Sequence, residues 1–172
     1  MGKTRQSYFI VRGACLAIAI VLFVSGCGFQ LRGKAELPPA MLTTYLEGPG
    51  LAGVIGQNLR DALQSSGVDV TSERGKASAV FRSLDYRSGR RVLSVNASGK
   101  VQEYQLFTAL VFEVRDDKGK VIVPSQKVSL VRNVLFNEND VLGMVNEQAR
   151  LRKEMDTDLV RLTMLRLEAS QR

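Results

Sequence analysis

Two stretches of this 172-residue chain carry residue types at spacings that could do chemistry. The first, "GPGLAG" from Gly48 to Gly53, reads as GxGxxG between an expected strand and an expected helix, with Asp69 about twenty residues on. In that pattern backbone N–H groups and a helix N-terminus hold a pyrophosphate. Only one such unit is present, hairpins follow it in place of parallel crossovers, and Pro49 stiffens the loop. The glycines are therefore read as turn residues around Pro49. The second stretch holds the adjacent carboxylates Asp116 and Asp117, a formal acid–base pair. Neighbours inside "DDKGK" point different ways, so this reads as a solvated hairpin turn. The chain has no histidine, which removes the commonest general base and transition-metal ligand. No catalytic constellation and no metal site is assigned.

The third candidate is a single cysteine. Lys3, Arg5 and Arg12 precede an apolar run from Ala14 to Val24, too short to span a bilayer as a helix, which ends in Ser25, Gly26 and Cys27. This is the layout of a signal peptide, and Val24, Ser25, Gly26, Cys27 matches the bacterial lipobox. Cys27 is then the mature N-terminus, carrying an S-diacylglycerol and an N-acyl chain, and no other cofactor is expected. Gly28 stands where an aspartate would favour inner-membrane retention in bacterial lipoproteins, so the expected location is the outer membrane. Of the two cysteines, Cys15 leaves with the signal and Cys27 carries lipid, so no thiol remains for a disulfide, a metal or nucleophilic catalysis. Losing three signal cations and no acid leaves 21 cations against 17 acids, so the net charge falls from +7 to +4. That balance suits an anionic partner, while export and the modest charge argue against nucleic acid.

The elements that position these groups follow from periodicity. Residues 1–26 are read as signal peptide, 27–39 as a lipidated Gly/Pro-containing tether, and 40–172 as one α+β domain. "LTTYLE" predicts a short strand. Leu51, Val54, Ile55, Leu59, Ala62 and Leu63 recur at helical spacing, with Gly67 placed to cap the end. A short strand at Val68 to Val70 adds little. "AVFRSLDY" predicts a strand interrupted at "RSGRR" and resumed at "VLSVN", followed by a "NASGK" turn. In "VQEYQLFTALVFEV" one face carries Tyr104, Leu106, Thr108, Leu110, Phe112 and Val114. Phe107, Ala109 and Val111 occupy the other, which predicts cover on both sides at the strand's centre. "VIVPSQKVSLVRNVLF" predicts a last antiparallel strand with Pro124 at an edge or bulge. From Val141 to Leu167 a helix carries two apolar stripes, one through Leu151, Met155, Leu159 and Leu162 and one through Val160, Met164 and Leu167. The expected fold is two helices packed on a four-stranded, mostly antiparallel sheet.

What remains is basic. Arg87, Arg90 and Arg91 cluster on the expected third strand, Lys100 follows the next turn, Lys118 and Lys120 flank Gly119, and Lys127 and Arg132 lie in the last strand. Loops at a common end of the meander could gather Arg90, Arg91, Lys100, Lys127 and Arg132 into one anion site, with arginine suited to bidentate phosphate contact.

Three segments together resemble the lipopolysaccharide-assembly lipoprotein family LptE: "CGFQLRG" at the acylation site, "EYQL" opening the long strand, and "NENDVLGMVNEQARLRKEMDTDLVRLTMLRL" at the end. The stretch "VLFNEND" keeps Phe136 and Asp140 but lacks the proline of the "DNP" that family members often carry there. The resemblance implies a non-enzymatic outer-membrane lipoprotein, lipid-anchored on the periplasmic side. It implies that the domain plugs the lumen of the β-barrel LptD, assists that barrel's folding, and binds lipopolysaccharide on its way to the outer leaflet. On this reading the partners are LptD, lipopolysaccharide and outer-membrane lipid, and Arg90, Arg91, Lys100, Lys127 and Arg132 are the lipopolysaccharide-binding candidates. The competing reading is a periplasm-facing lipoprotein of the same fold that binds another envelope component.

Overall fold

The fold is a one-sided sheet, laid down in chain order from a short 3-10 turn, Pro39–Leu42. Its elements are β1 (Thr43–Glu47), α1 (Val54–Ser65), β2 (Asp69–Thr71), a second 3-10 turn (Arg74–Lys76), β3 (Ala79–Val95), β4 (Val101–Asp116), β5 (Val121–Leu135) and α2 (Val141–Ala169). The structure is a computed structural model that describes residues 37–136 and 141–171. The expected signal peptide, Cys27 and most of the expected tether, together with Asn137 to Asp140, lie outside the described residues.

The sheet has five strands in the order β2-β1-β3-β4-β5, which corrects the expected four. β1 runs parallel to both β2 and β3, and β3, β4 and β5 form the antiparallel meander. The extra strand is β2, held to β1 by the register Thr43↔Asp69, Thr44↔Val70 and Tyr45↔Thr71. The sequence marks a short strand at Val68 to Val70, but three residues are too few to show a period of two, and backbone pairing is what places the strand in the sheet. β1, α1 and β2 together form a parallel crossover around "GPGLAG", where the sequence pointed to hairpins alone.

Helix α1 ends as its sequence demands. Gly67 takes φ +91°, its N–H donates to the Gln64 carbonyl at 2.9 Å, and the Val68 N–H donates to the Leu63 carbonyl at 3.1 Å. These two bonds satisfy carbonyls at the helix end that have no partner within it, and buried Val68 and Leu63 supply the apolar contact that goes with the motif. The helix starts later than Leu51, which instead closes a turn ahead of it. Gly56 is needed there, since a Cβ on it would lie 1.9 Å from the Leu51 carbonyl oxygen.

β3 is one continuous strand of 17 residues, so "RSGRR" interrupts nothing. Its pairing with β4 runs unbroken from Asp85↔Val111 to Val92↔Tyr104, and the irregularities fall at Leu84, at Leu93 and between Ser94 and Val95. Gly89 is present because the Phe107 ring lies over it, 2.9 Å from where a Cβ would stand. In β5 the register slips between Gln126 and Val123, placing Pro124 in a bulge on an edge strand, as read from the sequence.

Both helices pack on one face. Leu59 and Leu63 of α1, Leu159, Val160, Met164 and Leu167 of α2, and Phe81, Leu110, Phe112 and Val114 of the sheet make the main core. Leu106, Val134 and Met155 make a smaller cluster farther along the meander. Phe107, Ala109 and Val111 are only half-buried, so the expectation that both sides of β4 are covered does not hold. Among the described residues no helix is long and apolar enough to cross a membrane.

Candidate functional site

β1 pairs with β3 only from Ala79 to Arg82, so the meander runs on past the short strands. Its two halves carry charge in different ways. In the proximal half, cations meet carboxylates on the helix-free face. Arg74 pairs with Glu47, and Arg82 bridges Glu47 at 3.0 Å and Glu113 at 3.1 Å. Arg115 closes the ladder on Glu113 at 2.7 Å. The hydrogen bond from Arg115 holds the Glu113 carboxyl below its usual range, against the opposing effect of burial. In-register Glu47, Arg82 and Glu113 thus tie three strands together and cancel one another's charge.

Farther along, Arg87 and Arg132 still meet carboxylates, Asp85 and Asp158, but Arg90 and Arg91 are held by amides. Arg90 faces the helix side: its Nη1 donates to Gln148 Oε1 of α2 at 3.1 Å, and its guanidinium carbon stands 4.7 Å from the Tyr104 ring centroid. Tyr104 is itself braced edge-on by Phe136 at 5.6 Å. Arg91 lies on the helix-free face, donating through Nε and Nη2 to Gln105 Oε1, while Gln105 Nε2 donates to Asn133 Oδ1 at 3.0 Å. A neutral oxygen orients a guanidinium without cancelling its charge, so Arg90 and Arg91 are fixed in place and still positive.

The five candidate cations do not share a face. Arg90 and Arg132 flank buried Leu106 in one row on the helix side, and Arg132 donates to Asp158 Oδ2 at 3.3 Å. Arg91 and Lys127 lie on the opposite face, with Lys127 opposite Val111, about 17 Å along the strand from the Arg132 row. Lys100 closes the β3–β4 hairpin, its N–H donating to Asn96 Oδ1 at 2.9 Å. The grouping that does form is Arg90 with Arg132 on the helix side, while Arg91, one row on, points to the other face.

Sequence reasoning missed the groups that hold these cations. Gln148 is buried on α2, 58 residues from Arg90, and only the folded chain brings the two together. It also missed a cleft of about 520 Å³ between β5 and α2, where Arg132 meets Arg150, Lys153, Glu154 and Asp158. The spacing of Arg150 and Lys153 on one helix face was the available signal. Two stretches set aside as turns are turns. Gly48 and Gly50 take φ +111° and +81°, and Ser83 Oγ donates to the Pro49 carbonyl at 2.7 Å, folding the loop onto β3. Asp116 Oδ1 accepts from the N–H groups of Lys118 and Lys120 at 3.0 and 2.8 Å.

Comparisons with known proteins agree with this architecture. Residues 38–167 match the model of the lipopolysaccharide-assembly family LptE. The LPS-assembly lipoprotein LptE of Pectobacterium atrosepticum is 26% identical over 152 residues, covering 88% of this chain and 77% of that protein. Its counterpart in Yersinia enterocolitica is 27% identical over 141 residues, covering 78% and 65%. Among solved structures, lipoprotein B of Nitrosomonas europaea superposes with a TM-score of 0.66 at 27% identity, over 80% of this chain and 88% of that one. A minor lipoprotein of Acinetobacter baumannii shares the fold, with a TM-score of 0.64 at 22% identity over 78% and 96% of the two chains. The family model spans the whole two-helix sheet, and the chain belongs to the lipopolysaccharide-assembly family LptE.

Proposed function

We propose that this protein is a non-enzymatic outer-membrane lipoprotein, anchored through acyl chains on Cys27, that plugs and helps assemble an LptD-type β-barrel and binds lipopolysaccharide in transit. The observation that carries the binding role is the pair Arg90 and Arg91, each oriented by an amide oxygen that leaves its charge available. Lipid A phosphates and core carboxylates are anions that such guanidiniums recognise in place of divalent ions. The helix-free face, with Phe107, Ala109, Val111 and exposed Val131, offers the half-apolar surface that a large enclosing partner would cover.

Replacing Arg90 and Arg91 together with alanine is expected to weaken lipopolysaccharide binding at low salt by on the order of tenfold per guanidinium, the scale of a charge-assisted hydrogen bond. Unfolding stability should fall by about 1 kcal/mol or less, since both side chains are exposed and Arg90 loses only its contacts to Gln148 and Tyr104. Because the two face opposite ways, the single variants tell which face binds. Unchanged affinity in the double variant would move the binding surface elsewhere, most directly to the half-apolar helix-free face around Phe107 and Val131, since Val160, Met164 and Leu167 are buried in the core.

The barrel role has its own readout. Full-length protein captured from detergent-solubilised outer membranes should bring down a large β-barrel in near-equal amount, and depletion should lower the level of folded barrel. Recovery without a barrel, and normal barrel levels after depletion, would favour a lipoprotein serving another envelope component.

A further inference from the structure

Among the described residues the meander leaves one long strand edge without a neighbouring strand. β1 accompanies β3 only as far as Arg82, and beyond Gly48 the chain turns away over Ser83 and Tyr86 toward α1. From Asp85 to Val92 β3 pairs in unbroken register with β4 on one side and with no strand among the described residues on the other. Bulges at Leu84 and Leu93 bound this segment, whose length is about 27 Å, the size of an ordinary strand. Every second N–H and C=O along it points outward and takes part in no ladder. The opposite edge of the sheet, β5, is less suited: Pro124 and its bulge break it, and the side chains of α2 around Asp158 reach Arg132 beside it.

The charge beside the β3 edge selects what can pair there. Arg87 and Arg91 lie on the helix-free face and Arg90 on the other, so cations flank both sides of an incoming strand. Among them stands one carboxylate, Asp85, paired with Arg87 at 2.9 Å. A second copy of this chain is the weaker occupant. Antiparallel pairing centred on Gly89 sets Arg87 against Arg91 twice, a register centred on Arg90 sets Arg90 against itself, and one centred on Ser88 sets Asp85 against Arg91 only by sharing Asp85 with Arg87; like charges directly opposite are destabilising. Exposed Val92, Leu93 and Val95 at the far end add apolar contact for a strand that alternates acidic with β-branched residues.

We infer that the outer edge of β3 from Asp85 to Val92 is a strand-addition site for an extended acidic segment of a protein partner, which joins the sheet as a sixth strand. The site uses the backbone edge, so it stands whether or not the faces of the meander bind lipopolysaccharide. Specificity comes from carboxylates on the helix-free face of the incoming strand, beside Arg87 and Arg91, and the ladder bonds supply sequence-tolerant affinity.

The test uses the full chain in detergent micelles and three labelled peptides of about eight residues. One alternates glutamate with threonine and valine. The second is the same peptide N-methylated at alternate residues, which keeps its charge but cannot donate to a ladder. The third has lysine in place of glutamate. The acidic peptide should bind saturably, the N-methylated peptide at least about tenfold more weakly, and the lysine peptide not measurably. Hydrogen exchange should slow at alternate amides between Asp85 and Val92. The double variant Arg87→Glu with Arg91→Glu should reverse the preference toward the lysine peptide. Equal binding of the acidic and N-methylated peptides would overturn the inference, since charge alone would then be at work. So would protection of the same amides by self-association, or by lipopolysaccharide vesicles when no acidic peptide binds.

Discussion

Phe112→Ala is expected to cost about 3–5 kcal/mol of unfolding free energy, the range for removing a fully buried aromatic ring. The Phe112 and Phe81 rings stack with centroids 5.1 Å apart and planes 14° apart, and neither is exposed to solvent. They sit between the sheet and both helices, in the cluster that also holds Leu59 and Leu159. Collapse of either helix into the vacated space is opposed by its packing on the other, so most of the cavity would remain. Against a typical total of roughly 5–15 kcal/mol the loss is large, and the midpoint of thermal unfolding should fall by on the order of 10–20 °C. Phe107→Ala is the control. Phe107 is the same residue type, five positions away on the helix-free face, where it is half-buried and touches Gly89. Its loss should cost about 1 kcal/mol in the isolated protein, because the side chain already keeps much of its water contact. Equal costs from the two variants, read from urea unfolding midpoints at matched slope, would refute the one-sided sheet. A Phe107→Ala cost that grows when the barrel partner is present would locate that partner on this face.

The sequence was informative wherever a local rule acts alone. Gly67 marks the end of α1 because a residue of positive φ must follow the last turn, and Pro124 marks a bulge because it cannot donate to a ladder. The turns at Asn96 and Asp116 were equally legible, since in each a single side chain accepts from the backbone of the turn it opens. What stayed hidden was set by pairing. Phe81 and Tyr86 are five residues apart, yet both lie on the helix side of the sheet, because the bulge at Leu84 shifts the alternation by one. Strict alternation from Phe81 would have put Arg91 toward the helices and Arg90 away from them. The fold does the reverse, and the difference decides which cation Gln148 can reach. The same dependence explains the candidate anion site. Arg132 joins Arg90 through the register of two strands with Leu106, while Lys127, on the same strand as Arg132, is carried away by its length.

Cys27→Ala is expected to abolish membrane attachment of the isolated protein, the largest functional effect of any single substitution considered. Each buried methylene contributes about 0.8 kcal/mol, and where one myristoyl chain holds a protein only marginally, two lipid signals hold it stably. Three chains on Cys27 would make the anchor effectively permanent. Without them the expected mature domain keeps a net charge of +4, and none of its described helices is long and apolar enough to cross a membrane. A modest net charge alone gives only weak, salt-sensitive attraction to anionic lipid. Protein purified from a Gram-negative host should therefore show the acyl mass on its N-terminal peptide and sediment with vesicles of outer-membrane lipid, while Cys27→Ala stays in the supernatant at physiological salt. An unmodified Cys27, or equal sedimentation of the two proteins, would refute the lipoprotein reading. Adding the barrel separates anchor from plug. A domain enclosed by a barrel is retained through buried surface as well as through lipid, so Cys27→Ala should return to the membrane fraction when a partner barrel is co-expressed, and only then.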